Sequence, residues 1–169
     1  MTKVPKIIIL RGNSGSGKTT IAKLLQKHFG HGTMLISQDV VRREVLYIRD
    51  DPQTQAMDLL IELVKYGRLN CDIVILEGIL YADWYQELFE CVKSAYGPNI
   101  FAYYFDIPFD ETLHRHKTKP NANDFGETEM RRWWRENDYI KTIPEQLLNK
   151  AMTANEIIDM IIKQINAKN

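Results

Sequence analysis

Read from its start, the chain alternates short, continuous apolar runs with longer stretches whose apolar positions recur every three or four residues. The short runs suit strands buried on both faces, and the longer period suits amphipathic helices laid over them. Strands are predicted at 6–10, 34–36, 73–76 and 100–105, with Leu147 and Leu148 as a short fifth. Helices are predicted over 18–29, from about Asp39, from Asp51-Pro52 to about Gly67, over 83–95, over 110–117, over 127–138 and from Thr153 onward. Asp51-Pro52 reads as an N-cap followed by Pro at the first helical position, and Thr153-Ala154-Asn155-Glu156 reads as a capping box. This alternation predicts an α/β fold, a parallel sheet with helices on both faces, forming one domain over 1–169 with an inserted segment at about 117–138.

Composition narrows the partners. With 22 Lys+Arg against 22 Asp+Glu, the chain lacks the basic excess of a nucleic-acid binder, which disfavours that partner without excluding a local basic groove. Cys71 and Cys91 are too few for a disulfide framework and fit a reducing compartment. Met1-Thr2-Lys3-Val4-Pro5-Lys6 runs into four apolar residues, too short for a signal-peptide core, and no segment has the length of a membrane span. The expectation is a cytoplasmic protein with no membrane partner, monomeric or homodimeric.

The firmest chemistry lies between the first strand and the first helix. Gly12-Asn13-Ser14-Gly15-Ser16-Gly17-Lys18-Thr19 matches G-x-x-x-x-G-K-[ST] at every position. Glycines let the loop curl so that successive N–H groups converge on phosphate oxygens, and the following helix aims its positive end at the same anion. Lys18 supplies a mobile cation, and the hydroxyl of Thr19, with Thr20 beside it, can reach Mg²⁺.

Strand, loop, Lys18-Thr19-Thr20 and helix together resemble the P-loop kinases, the superfamily of adenylate, shikimate, gluconate and nucleoside kinases. Ser37-Gln38-Asp39-Val40-Val41-Arg42 and Leu76-Glu77-Gly78 look most similar to small kinases of the zeta-toxin and chloramphenicol-phosphotransferase type. The resemblance implies a three-layer P-loop NTPase fold, a five-stranded sheet of order 2-3-1-4-5 and a helical lid. It implies ATP and Mg²⁺ as cofactors.

Ligands of an open α/β sheet bind beyond the carboxyl ends of its strands, and two acids fall there. Asp39 follows the second strand; the resembled kinases use an aspartate here as the base that takes the acceptor's proton, though an N-cap role is equally served by Asp. Glu77 closes the third strand, where it can hold a Mg²⁺-bound water, contact the acceptor or simply bond nearby N–H groups. Arg42, one turn after Asp39, is a candidate for binding the acceptor, while Arg49 reads as solvated.

The stretch 114–135 is basic on both sides of a Pro/Asn/Gly loop. Arg131, Arg132 and Arg135 share one helical face if the helix reaches 138, with Met130, Trp133 and Trp134 opposite. By resemblance this is the lid, its arginines reaching the phosphates and Arg115 stacking on adenine; the plainer reading is a solvated basic helix. Asp124-Phe125-Gly126 spells a protein-kinase signature out of context, and Asn149-Lys150-Ala151-Met152 lacks the aspartate of a guanine-reading motif.

The expected reaction is transfer of the γ-phosphate of MgATP to a hydroxyl of a small molecule such as a nucleoside, sugar-like metabolite or antibiotic. Lys18, Asp39, Arg131 and Arg135 are then catalytic. The loop from Gly12 to Thr19, Thr20 and Arg115 hold ATP, Asp39, Arg42 and Glu77 hold the acceptor, and Thr19 and Glu77 the metal. A nucleotide kinase with a phosphate acceptor, a polynucleotide 5′-hydroxyl kinase and a non-catalytic ATP-binding protein are the alternatives.

Overall fold

The computed structural model describes residues 4–168, so Met1, Thr2 and Lys3, read above for a leader, lie outside it. Strands β1 (Lys6–Gly12), β2 (Met34–Ser37), β3 (Ile73–Gly78), β4 (Ile100–Asp106) and β5 (Gln146–Asn149) form one parallel sheet. The order is β2-β3-β1-β4-β5, as the resemblance implied.

Period-two alternation within β1 sorts its side chains to the two faces. Ile7 and Ile9, with Val74 and Leu76, meet α3 (Ala56–Asn70) and α4 (Gln86–Tyr96). Ile8 and Leu10, with Ile75, Tyr103 and Phe105, meet α1 (Lys18–Phe29) and α7 (Ala154–Ala167). All four β1 apolar side chains are fully buried, which explains the continuous apolar run. Between β2 and α3 the chain forms α2 (Gln38–Val40), which widens into a π-helical turn, Val41–Val45. After β4 come α5 (Phe109–His116) and, within the segment 117–138, α6 (Glu127–Trp133).

Three helix boundaries depart from expectation. Asp51-Pro52 does not open α3; the Asp51 carboxylate instead accepts the Gln53 N–H at 2.7 Å in a local turn, and the helix begins at Ala56 behind Thr54. Gly67 does not end α3, which runs on to Asn70. It is there because helix and sheet touch: a Cβ at 67 would lie 2.5 Å from Val74 Cγ2. Finally α6 stops at Trp133, since Trp134 turns to an extended ψ of 132°, so the helix predicted over 127–138 covers only seven residues.

The reason for that early stop lies in β1. Arg11 is fully buried in the middle of the fold. Its Nη1 donates to both Glu145 carboxylate oxygens at 2.8 and 3.0 Å, and its Nη2 to the Asp138 carbonyl and carboxylate at 2.8 and 2.9 Å. Its Nε donates to the Leu80 carbonyl at 2.9 Å, and the guanidinium lies against the rings of Phe89 and Tyr104. Glu145 and Asp138 in turn accept the N–H groups of Ile140 and Ala82. One cation therefore pulls the segment after α6 down onto the sheet, and a helix continued to 138 could not reach it.

Removing the cation leaves Glu145 buried without its partner, a fault that typically costs about 3–5 kcal/mol. Arg11→Met should lower the unfolding free energy by roughly that amount in urea titration. A loss below about 1 kcal/mol would show that the segment holds itself in place.

Candidate active site

The predicted loop closes β1 and opens α1 at the carboxyl end of the sheet, next to the ends of β2 and β3. At Gly15 (φ 80°) a Cβ would come within 2.6 Å of the Thr112 carbonyl and 3.1 Å of Met130 Cε. Only glycine lets the loop pass between α5 and α6 here.

Lys18 folds back over the loop, its ammonium donating to the Asn13 carbonyl at 2.8 Å and to Ser16 Oγ at 3.3 Å. Burial pulls its pKa down to about 8, an effect that nearby Glu77 partly opposes. Such a cation, already stripped of water, is ready to meet phosphate oxygens. Thr19 stands at the start of α1 with its hydroxyl 3.3 Å from each oxygen of Glu77, and Thr20 is exposed on the same turn.

Glu77 is only 2% exposed, and among the described residues it is held by hydroxyls: Thr19 on one side and Ser37 Oγ, at 2.6 Å, on the other. Two residues beyond Ser37, Asp39 sits in the first turn of α2. Arg42 Nη2 donates to its carboxylate at 2.5 Å, while Arg43 Nε lies 2.9 Å away at an angle too poor for a hydrogen bond. The structure thus brings Lys18, Thr19, Glu77, Asp39 and Arg42 to one end of the sheet.

The lid arginines behave differently from the shared face the sequence suggested. Arg131 points outward, paired with Glu127 at 2.8 Å and lying over Phe109, and Arg132 is exposed. Arg135, beyond the helix, turns the other way to Asp83 at 2.5 Å and over the rings of Tyr81 and Trp84. The short α6 is the cause, because i,i+4 stacking needs a helix that continues through 135.

What α6 does touch is the loop. The Asn13 amide donates to the Arg135 carbonyl at 2.7 Å and accepts the Arg135 N–H at 3.0 Å, and Met130 is 2% exposed against Gly15. The Tyr81 hydroxyl donates to the Trp133 carbonyl at 2.7 Å. Arg115, in the last turn of α5, joins from the other flank, bonded to Glu111 and donating to the Ser16 carbonyl at 2.9 Å.

Two residues escaped the sequence reading. Lys119, passed over as loop, is half-buried close to Lys18, Glu77, Asp39 and Arg115, and burial lowers its pKa. His116, passed over as a flank, is 3% exposed; its Nε2 donates to the Phe125 carbonyl at 2.8 Å and its ring stacks on Phe125 at 4.4 Å. That stack folds the 117–126 loop back so that Lys119 faces the site. A lone lysine in a polar loop carries no periodic signal, so neither role was legible. Phe125 of the Asp-Phe-Gly string is simply this packing ring, with Trp133 on its edge at 5.1 Å.

Chemically, the converging loop N–H groups, Lys18 and a helix N-terminus suit a polyphosphate. Thr19 and Glu77 suit a hard cation that keeps most of its waters and takes its other oxygens from phosphates. Among the described residues, no helix is long and apolar enough to cross a membrane.

Comparison with known proteins agrees with this geometry. A uridine kinase of Anoxybacillus flavithermus is 31% identical, with 49% of this chain and 56% of the relative covered. A uridine kinase of Listeria monocytogenes serotype 4a is 49% identical over the same shares. The chain spans about half the length of these curated relatives. Among solved structures, the APS kinase of Mycobacterium tuberculosis in complex with AMPPNP and APS superposes with a TM-score of 0.68 at 19% identity, covering 96% of this chain and 98% of that one. A gluconokinase from Sinorhizobium meliloti gives 0.62 at 12% identity, covering 98% and 94%. At such identities these two show the fold alone. None of the four is a zeta toxin or chloramphenicol phosphotransferase, so that finer likeness rests on motifs only. The family model described as an AAA domain matches residues 7–143, which span β1 through the segment after α6, and the chain belongs to that family.

Proposed function

We propose that this protein transfers the γ-phosphate of ATP to a hydroxyl group of a small molecule. The observation that carries the reading is the contact of Ser37 with Glu77 beside Thr19. It ties the end of β2 to the phosphate loop and sets Asp39 at the mouth of the same site. A loop alone would serve any triphosphate binder; a second acid at the same end of the sheet supports a hydroxyl acceptor. Uridine kinases among the relatives support the reaction class.

In this reading the loop from Gly12 to Thr19 and Lys18 hold the β- and γ-phosphates, with Arg115 flanking the nucleotide. Mg²⁺, held through Thr19 and through Glu77 or its bound water, would neutralise phosphate charge. Asp39, oriented by Arg42 and Arg43, accepts the acceptor's hydroxyl proton. The hydroxyl oxygen forms its bond to the γ-phosphorus as the bond to the β,γ-bridging oxygen breaks, and ADP leaves with that electron pair. Lys119 joins Lys18 in stabilising the charge spread over the equatorial oxygens. Arg131 and Arg135 contribute only if the lid shifts from the arrangement described here. Two free cysteines fit a reducing compartment, so the cytoplasm is the proposed location.

ADP release with MgATP and a panel of nucleosides, sugars, aminoglycosides and short oligonucleotides tests the reaction. At least one small alcohol should raise it well above background hydrolysis. Asp39→Asn should then lower turnover by about 10²–10⁴-fold while ATP affinity changes less than about twofold; unchanged transfer would remove Asp39 from the role of base.

Lys18 gives a pH signature. The folded, ligand-free protein releases this proton near pH 8, whereas an unperturbed lysine keeps it to 10.5. Unfolding therefore takes up a proton between those values, and the free protein gains stability as pH rises across that window. Phosphate binding has the opposite demand, because it needs the ammonium. ATP affinity should hold constant up to about pH 7.5 and then fall by roughly tenfold per unit once Lys18 is mostly neutral. A Kd that stays flat to about pH 9.5 would contradict the pairing of a lowered Lys18 pKa with a nucleotide contact.

A further inference from the structure

The loop between the π-helical turn and α3 doubles back at Tyr47 (φ 55°), where the Ile48 N–H donates to the Arg42 carbonyl and Arg42 Nη1 returns to the Ile48 carbonyl. This reversal brings Asp50, half-buried, against Gln38 and Tyr85. The Tyr85 hydroxyl donates to Asp50 Oδ1 at 2.6 Å, and Gln38 Nε2 donates both to Oδ2 at 3.2 Å and to the Tyr85 oxygen at 2.8 Å. Tyr85 is fully buried and Gln38 is 2% exposed, so this triangle holds the carboxylate in one orientation.

Three consecutive residues thereby gather three carboxylates around the end of β2. Ser37 holds Glu77, Gln38 holds Asp50, and Asp39 brings its own. Neither hydrogen-bond donor to Asp50 is charged. Burial raises its pKa even though Tyr85, nearby Arg42 and Gln38 all favour the ionised form. A carboxylate offers about four acceptor positions, and among the described residues the protein fills one on each oxygen. The half-exposed edge is left to accept more.

Two of the nearby arginines lean on the outermost of these carboxylates. Arg42 and Arg43 both converge on Asp39, and Arg135 is bound to Asp83. Lys119 lies near Glu77 and Asp39 as well as Lys18 and Arg115. An acceptor that brought its own phosphate to this end would meet three clustered carboxylates. One that brought hydroxyls would find acceptors aimed at it.

We infer that Asp50 is a substrate-binding carboxylate that accepts hydrogen bonds from the hydroxyls of an uncharged, polyhydroxylated acceptor, and that this end of the cleft rejects acceptors already carrying a phosphate. Gln38 and Tyr85 are its positioning residues. The assignment rests on the phosphotransferase reading above and deepens it by naming the acceptor class.

The test measures ATP-dependent ADP release by the full chain with two probe series. One is ribose, 2-deoxyribose and ribose 5-phosphate; the other is cytidine, 2′-deoxycytidine and cytidine monophosphate. The hydroxyl-rich, unphosphorylated member should be preferred within a series. Asp50→Asn should raise KM for that member by about 10- to 100-fold, the worth of a hydrogen bond to a charged group, with KM for ATP within about twofold. The same substitution should change KM for the deoxy analogue far less. Tyr85→Phe keeps the ring packing and releases one oxygen, so it should raise KM by about 3- to 10-fold with little change in kcat. If Asp50→Asn fails to fold, Tyr85→Phe and the probe series with the unaltered protein decide alone. ADP release that favours the phosphorylated members, or equal losses on the hydroxyl and deoxy acceptors, overturns the Asp50 assignment while leaving the kinase intact. ADP release that no acceptor raises overturns the kinase reading, and this assignment with it.

Discussion

A carboxylate that is almost completely buried at the end of a central strand is expensive unless donors meet it. Glu77 meets that condition with two hydroxyls, Thr19 from the first turn of α1 and Ser37 from the last residue of β2. Those two contacts fix how the phosphate loop, β2 and β3 sit relative to one another. Strand order makes them possible, because β3 lies between β1 and β2. From this follow the position of Asp39, two residues past Ser37, and the reach of Lys18, whose burial beside Glu77 leaves it a weakly solvated cation.

A second constraint acts from beneath the sheet. Arg11 emerges from β1 immediately before the loop and binds Glu145, Asp138 and the Leu80 carbonyl. The strand that delivers the loop is therefore also the strand that anchors the segment leading out of α6. Asn13 repeats the link one turn higher, through paired hydrogen bonds with the backbone of Arg135. With Met130 against Gly15 and Arg115 on the Ser16 carbonyl, these contacts tie the loop to the segments on either side of it. The π-helical turn and the reversal at Tyr47 complete the enclosure on the acceptor side by carrying Asp50 inward.

Much of this was legible in the residues. The apolar runs marked all five strands, and the glycine-lysine-threonine spacing marked the phosphate loop without tertiary information. Asp39 and Glu77 were found because acids after strands are local features. The length of α6 was misjudged for a physical reason: helical periodicity through 138 is real in the sequence, but a buried ion pair to a residue more than a hundred positions away overrides it. Gly67 misled in the same way, since a glycine that stops a helix and one that lets a helix touch a sheet look alike in sequence. Lys119 and Asp50 carry their significance entirely through long-range placement, one by a ring stack on His116 and the other by a hydroxyl from Tyr85. No spacing rule would have found them.

The role proposed for Asp39 is what would separate an enzyme that hands phosphate to an alcohol from one that merely hydrolyses a triphosphate. The fate of the γ-phosphate tests that distinction most directly. With ATP labelled at the γ-position, incubated with the protein and its best small alcohol, the label should be recovered as a phosphate ester of that alcohol, in amount equal to the ADP formed. Label recovered as inorganic phosphate, in an amount that the alcohol does not change, would contradict it.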